Sequence, residues 1–389
     1  MTTPVDKRVA RSRLLRLTPR LLRTWARRVG STAGYDLAAW RRGNPYAGSA
    51  REWGNETGSA FRLGILFDFA HEHKNYIAAC LDLNVSYRVV DVSADDWQAR
   101  LTGAACDAWL VWPSVNRTAW KRMFDDRVRI MVEEMGLVVY PGWKELWLYE
   151  SKLRVRDWLL ANSVPHPRTW IFYRREDADD FVRRAAYPIV FKTDLGASAH
   201  GVVICRRLDQ ARRMVKRAFG SGVRAARMDP RDRQRGVVLF QEYLSDVREW
   251  RMVRIGQYYF CRFKEKKGEF HSGSGSVRWE RPDRRLLDLI RSVTERAGFT
   301  SMNLDVFETT DGRLLVNEMH TVFGDIAEAN RERGGEAMGR WRYDEAGDAW
   351  LFEPGYFYQN ACANLRVEYL LQRLAARGTD SNAAGGAAP

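Results

Sequence analysis

A pair of apolar strands that carries charged residues at alternate positions limits the fold of this chain more than any other feature. Residues 302–307 and 314–317 are mostly apolar, and Asp311-Gly312 between them is typical of a tight turn. Side chains of a strand alternate between its two faces, so Glu318 and His320 share one face. The pattern predicts a β-hairpin with a charged face.

The charged face of this hairpin has the residue types of a cation site. Asp305 lies on the first strand, and side chains on one face of adjacent strands come within reach of each other. We therefore predict that Asp305, Glu318 and His320 hold a divalent cation. Asn317 would point to the opposite face of an ideal strand, which makes it a poorer candidate.

The chain upstream begins with a small β-α-β pattern. Apolar strands are predicted at residues 61–67, 87–92 and 108–111. A helix is predicted between the first two strands, at residues 75–83. This order predicts a Rossmann-like domain, but no glycine fingerprint of a dinucleotide site follows the first strand. For His71, His73 and Lys74, which do follow it, we favour exposed loop positions over a role in substrate binding.

A strand, a loop of small residues and a second strand lie in the middle of the chain. The first strand, 187–192, ends in Lys192, the loop 194–201 contains two glycines, and the second strand is 202–205. This composition predicts a hairpin with a flexible tip. Further strands are predicted at 169–173, 237–243, 250–255 and 258–262, and further helices at 145–162 and 284–297.

The order of these motifs from Lys152 to Gly324 is similar to that of the ATP-grasp ligases, especially the glutathione-synthetase and ribosomal-protein glutamate-ligase type. The resemblance implies an α/β (α+β) ATP-grasp fold with an N-terminal Rossmann-like domain. We divide the chain into a basic amphipathic segment and linker (1–60), a pre-ATP-grasp domain (61–140), an ATP-grasp N-terminal subdomain with a phosphate flap (141–235), a C-terminal subdomain with the metal site (236–345), and a helical extension with a disordered tail (346–389).

Two lysines occupy positions that the family uses to hold nucleotide phosphates. The resemblance implies that Lys152 and Lys192 bind ATP, because ammonium groups neutralise phosphate charge. Only 10 of the 63 basic residues are lysine, so chance alone would rarely place lysine at both positions.

The resemblance also implies the other nucleotide contacts. The loop corresponds to the family's glycine-rich flap, whose backbone N–H groups and serine cover the triphosphate. The strand that follows corresponds to the segment against which adenine lies. The implied residues are Gly196, Ser198 and Gly201 in the flap, Gln241, Glu242, Tyr243 and Leu244 at adenine, and Glu249 beyond them.

Two basic residues are implied in catalysis. Arg251 belongs to an acidic-x-Arg step in which Glu249 replaces the usual aspartate, and its guanidinium suits phosphate or a substrate carboxylate. Lys264 lies in the basic stretch 262–275 and would bind the γ-phosphate or an acidic substrate. The alternatives are an exposed ion pair for Arg251 and a solvated charge run for Lys264.

The implied cofactors are ATP and Mg²⁺ or Mn²⁺. The family normally has asparagine at the position of His320, and imidazole is a poor Mg²⁺ ligand. Three readings remain: His320 lies outside the metal shell, the site favours Mn²⁺, or the histidine handles a substrate proton. We favour the first.

The predicted function is the ATP-dependent formation of an amide through an acyl phosphate, with release of ADP and phosphate. A kinase on the same scaffold and a non-catalytic polyanion- or membrane-binding protein are the alternatives. The residues beyond Gly324, including Trp341, Trp350 and Tyr356, resemble a subgroup associated with cell-surface polysaccharides. The carboxylate and amine are accordingly expected to be small molecules or polysaccharide-related compounds.

The net charge of +14 favours anionic partners without selecting one. Arginines and leucines in residues 8–28 are spaced as in a basic amphipathic helix, which would contact an anionic membrane surface or a protein, or else form a solvated tail. No specific nucleic acid is indicated. The five cysteines are widely spaced, and no long apolar run appears, so we expect a cytoplasmic protein, membrane-associated at most, that could form homo-oligomers.

Overall fold

The computed structural model describes residues 53–70, 72–196, 201–224, 232–266, 277–323 and 338–385. The basic segment 8–28, Ser198 and the whole stretch 267–275 lie outside these residues. Three sheets organise the described chain, and each has its own apolar core. Among the described residues we find no helix with the length and apolar character needed to cross a membrane.

The first sheet has five strands in the order β1-β3-β2-β4-β5. The strands are β1 (Trp53–Asn55), β2 (Arg62–Leu66), β3 (Ser86–Val90), β4 (Ala108–Leu110) and β5 (Val139–Tyr140), and the helices are α1 (Lys74–Asp82), α2 (Trp97–Ala104) and α3 (Thr118–Glu133). The neighbours from β3 to β5 are parallel, which confirms the Rossmann-like domain. Strand β1 lies inside the predicted linker, because Trp53 packs on this core.

Two helices, α4 (Trp143–Leu148) and α5 (Lys152–Ala161), replace the single helix predicted at 145–162. The break falls at Glu150, whose φ of 62° is incompatible with a continuous helix. Helix α5 restarts at the N-cap Ser151, whose Oγ accepts from the backbone N–H of Arg154 at 3.4 Å.

The second sheet has four antiparallel strands in the order β6-β9-β7-β8. Its strands and helices are β6 (Thr169–Phe172), α6 (Arg175–Arg184), β7 (Ile189–Lys192), β8 (Val202–Cys205), α7 (Leu208–Ala218) and β9 (Val238–Glu242). Strand β9 belongs to this sheet although it follows the boundary that we placed at 235/236. The predicted hairpin is formed by β7 and β8.

The third sheet has seven strands, in the order β14-β13-β10-β11-β15-β16, with β12 beside β11. The elements are β10 (Val247–Ile255), β11 (Tyr258–Lys264), β12 (Val277–Arg278), α8 (Arg284–Ala297), β13 (Ser301–Thr309), β14 (Leu314–His320), β15 (Gly339–Asp344) and β16 (Ala349–Pro354). Helix α8 buries Leu286 and Ile290 against one face of the sheet. The opposite face is free to carry polar residues.

A bulge interrupts the pairing of β13 with β14. Asp305 pairs with Glu318, but the next residue, Val306, pairs with Val316, so Asn317 is an extra residue on β14. An extra residue changes the direction of the side chains beside it. The simple alternation used to predict this hairpin therefore fails at Asn317.

The C-terminal helix α9 (Gln359–Gly385) connects the third sheet to the first. Residues 360–362 have positive φ, so regular helix begins after them. Val367 and Leu370 belong to the core of the first sheet, whereas Leu365 packs in a cluster with Val253 of β10. The helix continues to Gly385, into the tail for which we expected disorder.

Arg366 on α9 is fully buried at this junction. Its Nε donates to Ser301 Oγ at 3.0 Å, Nη1 to the Ala361 carbonyl at 3.0 Å, and Nη2 to the Thr321 carbonyl at 3.4 Å. We expect Arg366→Ala to lower the free energy of unfolding by about 3 kcal/mol, because it leaves a cavity and unpaired acceptors. Urea denaturation measures this change, and the exposed Arg377 on the same helix gives the control, Arg377→Ala, expected within about 0.5 kcal/mol of the parent.

Candidate functional site

A narrow cleft lies between the second and third sheets. Lys152 and Lys192 line it together with apolar and uncharged polar side chains. The apolar walls are Val155, Leu159, Leu239 and Val316, and the remaining lining residues are Arg156, His166, Thr169, Gln241 and Asn317. Walls of this kind suit a ligand with a flat apolar part and an anionic part.

Lys152 is the first residue of α5. A lysine at this position adds positive charge to the positive end of the helix dipole, which is unfavourable unless an anion binds there. Its Nζ donates to the Gly196 carbonyl at 2.8 Å and lies 3.7 Å from Glu318 Oε1. Burial opposes its charged form, but Glu318, Glu150 and Asp194 hold the pKa of Lys152 above its usual value.

Lys192 ends β7 and is buried against the third sheet. Its Nζ donates to Asn317 Oδ1 at 2.9 Å. Burial lowers the pKa of Lys192 to about 8, although the nearby Glu318 carboxylate opposes the shift. Near neutral pH this lysine is therefore a cation that loses its proton readily.

The lowered pKa of Lys192 predicts how an anionic ligand responds to pH. The predicted contact of Lys192 with phosphate requires the protonated lysine, whose fraction in the free protein falls as pH rises through about 8. The affinity for ATP should therefore decrease about tenfold between pH 7 and pH 9. Calorimetry across this range measures how the ATP affinity depends on pH. The Lys192→Arg variant stays charged and should remove this dependence. A pH dependence that persists in the arginine variant would be assigned to another group.

The strand register of the third sheet places basic and acidic side chains next to each other. Arg251 on β10 lies opposite Asp305 on β13, which lies opposite Glu318 on β14. The Arg251 guanidinium donates to both Asp305 oxygens, at 3.0 and 3.1 Å. Lys264 on β11 lies opposite Glu249 on β10, and its Nζ lies 2.5 Å from an oxygen of Glu249 and from one of Asp305.

Asp305 is the centre of this charge network. Burial disfavours its ionised form, but Arg251, Lys264 and His320 together hold the pKa of Asp305 well below its usual range. Lys264 is buried, so the alternative of a solvated charge run is wrong for this residue. The alternative of an exposed ion pair is wrong for Arg251, whose side chain is 23% exposed and bound to a buried carboxylate.

Asp305, Glu318 and His320 converge as predicted, with one donor atom of each within 4.8 Å of the others. His320 Nε2 lies 3.3 Å from Glu318 Oε2 and 3.7 Å from Asp305 Oδ2. The ring nitrogen of His320 faces both carboxylates, and whether it binds the cation itself stays a prediction. Although burial disfavours the charged ring, Glu150, Asp305 and Glu318 hold the pKa of His320 well above its usual value.

The donor set fits a divalent cation bound together with phosphate oxygens. Two carboxylates on adjacent strands and one imidazole supply hard oxygen ligands and a nitrogen ligand. Burial opposes ionisation of Glu318, but Lys152, His320 and Lys192 hold its pKa well below its usual range, so it is a carboxylate at neutral pH. Both oxygens of Asp305 already accept hydrogen bonds from Arg251 and Lys264. Glu318 therefore has more freedom than Asp305 to bind a cation.

Asn317 also faces the cleft, contrary to our expectation. The bulge between β13 and β14 makes it an extra residue, and its amide oxygen accepts from Lys192. The Asn317 side chain can point into the cleft because neighbouring residues on a bulged strand need not face opposite sides of the sheet. Lys192 and the third sheet are thereby connected across the cleft.

Three solved structures share this arrangement of sheets. A RimK domain ATP-grasp protein from Sphaerobacter thermophilus has a TM-score of 0.53 and 16% identity, over 79% of this chain and 98% of that one. The biotin carboxylase domain of the Hydrogenobacter thermophilus 2-oxoglutarate carboxylase, solved with MgADP and bicarbonate, has a TM-score of 0.50 and 17% identity, over 69% of this chain and 66% of that one. An N5-carboxyaminoimidazole ribonucleotide synthetase, purK, solved with ADP, has a TM-score of 0.50 and 11% identity, over 71% of this chain and 74% of that one.

This chain has the ATP-grasp fold. The predicted fold class is confirmed. No protein-family model and no curated protein matches the sequence.

The remaining predicted residues of the ATP-grasp site divide into two groups. Gln241 lines the cleft, and the Gly196 carbonyl contacts Lys152. Gly201 closes the base of the flap: its φ is 79°, and a Cβ there would lie 2.0 Å from Thr193 Oγ1. Glu242, Tyr243 and Leu244 do not line the cleft, and the carboxylate of Glu242 instead accepts from the backbone N–H and Nε of Arg168.

Sequence reasoning missed several residues of this ATP-grasp cleft. Val155 and Leu159 lie four residues apart on α5, a helical spacing that could have placed them on one face. Asp194 connects the flap to the start of α5, since its carboxylate accepts from Ser151 Oγ at 2.8 Å. Glu150 beside His320 follows a short helix and has no sequence signal.

Proposed function

We propose that this protein is an ATP-dependent ligase that joins a carboxylate to an amine. The observation that carries the proposal is that Lys152 and Lys192 line an apolar cleft between two sheets, where Lys152 lies 3.7 Å from Glu318 of the cluster Asp305, Glu318 and His320. ATP combines a flat apolar base with several negative charges and matches both parts of the cleft. The ATP-grasp fold supports the proposal, since two structures that it resembles were solved with ADP.

In the proposed reaction, a carboxylate oxygen of the substrate attacks the γ-phosphorus of ATP. The bond from that phosphorus to the bridging oxygen breaks, and ADP leaves. The amine nitrogen then attacks the carbonyl carbon of the acyl phosphate. The carbon–oxygen bond to phosphate breaks, phosphate leaves, and the nitrogen loses a proton as the amide forms.

The side chains of the cleft would act mainly by positioning and by neutralising charge. Lys152 and Lys192 would bind phosphate oxygens, and adenine would lie between the apolar walls near Gln241. Arg251 and Lys264, held by Asp305, would place positive charge where the carboxylate approaches. A divalent cation held by Asp305, Glu318 and His320 would withdraw charge from the phosphate oxygens when bound.

The flap between β7 and β8 would complete the site. Its first residues are connected to α5 through Asp194, and Ser198, which lies outside the described residues, would donate to phosphate. A covered acyl phosphate is protected from water, so the amine would be its principal acceptor. The substrates are proposed as a carboxylate and an amine that are small molecules or components of cell-surface polysaccharides.

Hydroxylamine trapping tests this proposal. The protein, ATP, Mg²⁺ and a panel of carboxylates are incubated with hydroxylamine, which converts an acyl phosphate to a hydroxamate. We expect ATP-dependent hydroxamate with at least one carboxylate, and none with Asp305→Asn. A stable phosphorylated product without hydroxamate would replace the ligase with a kinase, and the absence of nucleotide uptake by calorimetry would reject both.

A further inference from the structure

The imidazole of His320 lies between three carboxylates that come from different parts of the chain. Its Nε2 faces Glu318 and Asp305, at 3.3 and 3.7 Å. Its Nδ1 faces Glu150 Oε1 at 3.2 Å, in a contact that has the distance of an ion pair but not the alignment of a good hydrogen bond. The two ring nitrogens thus face separate acidic groups. Of these three carboxylates, Glu150 is the one that was not predicted to bind the metal.

Glu150 reaches this position through an unusual backbone conformation. Its φ of 62° is in the left-handed region, which a residue with a Cβ adopts only where its surroundings hold it there. It stands in the connection between α4 and α5, immediately before Ser151 and Lys152. The side chain is 8% exposed, so its charge is directed into the protein at His320.

The environment also restrains the ring of His320. Its strand position lies opposite Asn303 on β13, and the ring of Tyr149 contacts it edge-on, with centroids 6.3 Å apart. A carboxylate facing Nδ1 favours a proton on that nitrogen. The proton on Nε2, which faces Glu318 and Asp305, is then the one that a cation bound between these carboxylates would displace. Carboxylates that bind the distal N–H of a histidine are the usual means of orienting a metal-binding imidazole.

We propose that Glu150 is a positioning residue that holds His320 Nε2 as a nitrogen ligand of the cation at Asp305 and Glu318, and that this site prefers Mn²⁺ to Mg²⁺. A site with an imidazole ligand binds Mn²⁺ better than Mg²⁺, which favours an all-oxygen shell. The inference rests on the proposed function only in requiring a cation at these two carboxylates. It replaces our earlier interpretation, in which His320 lies outside the metal shell.

Electron paramagnetic resonance of Mn²⁺ tests the inference without a turnover measurement. The full chain is titrated with Mn²⁺ alone and with Mn²⁺ plus ADP, and the bound ion is examined for hyperfine coupling to ¹⁴N by double resonance. We expect such a coupling in the parent protein and its loss in His320→Asn. The ratio of Mn²⁺ to Mg²⁺ affinity should also fall in that variant.

Two variants test Glu150 itself. Glu150→Gln removes the charge at constant size, and Glu150→Gly removes the side chain while relieving the left-handed backbone, so it should not lower the melting temperature. Both should weaken Mn²⁺ binding about 10- to 100-fold. Glu176→Gln, at an exposed position on α6, is the control and should leave the affinity unchanged.

The outcomes separate this inference from the proposed function. Bound Mn²⁺ without a ¹⁴N coupling, or unchanged affinity in both Glu150 variants, would overturn the inference even if hydroxamate forms. A ¹⁴N coupling that depends on His320 and weakens with Glu150 would support it even if no carboxylate yields hydroxamate.

Discussion

Replacing Lys192 with methionine is expected to weaken ATP binding by about 100-fold, as measured by calorimetry with ATP and Mg²⁺. Methionine keeps an unbranched apolar side chain, so the packing between β7 and β14 should persist. The variant loses the ammonium group that would bind phosphate, and Asn317 loses its donor. Because burying a charged lysine is costly, the melting temperature should stay the same or rise.

The matched control is Lys216→Met, which makes the same change at an exposed position on α7 in the same lobe. It should leave the dissociation constant for ATP unchanged. An equal loss of affinity in both variants would assign the effect to net charge, and no loss in Lys192→Met would remove this lysine from the nucleotide site.

Asp305→Asn is expected to reduce turnover by at least about 100-fold while ATP still binds. The amide has the size of the carboxylate but cannot balance Arg251 and Lys264, which both donate to Asp305. It also removes one of the two carboxylates proposed to hold the cation. Steady-state hydroxamate formation and calorimetry measure the two effects separately.

The same variant should lose stability, because it removes the carboxylate that pairs with Arg251 and with the buried Lys264, which keeps Glu249. We expect a decrease of about 3 kcal/mol in the free energy of unfolding. Asp126→Asn on α3 is the control, since Asp126 is exposed and lies 3.8 Å from Arg122. Retained turnover in Asp305→Asn would contradict the proposed cation site.

The strands of the charged sheet could be predicted from sequence because their periodicity is local. The helix at 284–297 was predicted with the bounds of α8, since it contains an apolar stripe and is flanked by the N-cap Asp283 and by Gly298. Helices α6 and α7 were not predicted. Their buried positions are largely alanine and valine within arginine- and aspartate-rich segments, although the charged and apolar residues do lie on opposite faces.

The parts of the site that escaped prediction depend on tertiary structure. Asn317 faces the cleft because a bulge shifts the register, and no local pattern at this position signals a bulge. Glu150 meets His320 across 170 residues of sequence, through a backbone conformation that glutamate rarely adopts. Alternation and resemblance located Asp305 and Glu318, but the contacts that orient His320 required the fold.

The packing of α9 has a consequence for the order in which the chain folds. Val367, Leu370 and Leu374, near the end of the chain, complete the core of the sheet that its first described strands form. A ribosome would release those early strands long before the helix that covers them is synthesised. The nascent first sheet would therefore expose apolar surface throughout translation of the second and third sheets, and would depend on chaperones or on transient contacts until the last turns of α9 emerge.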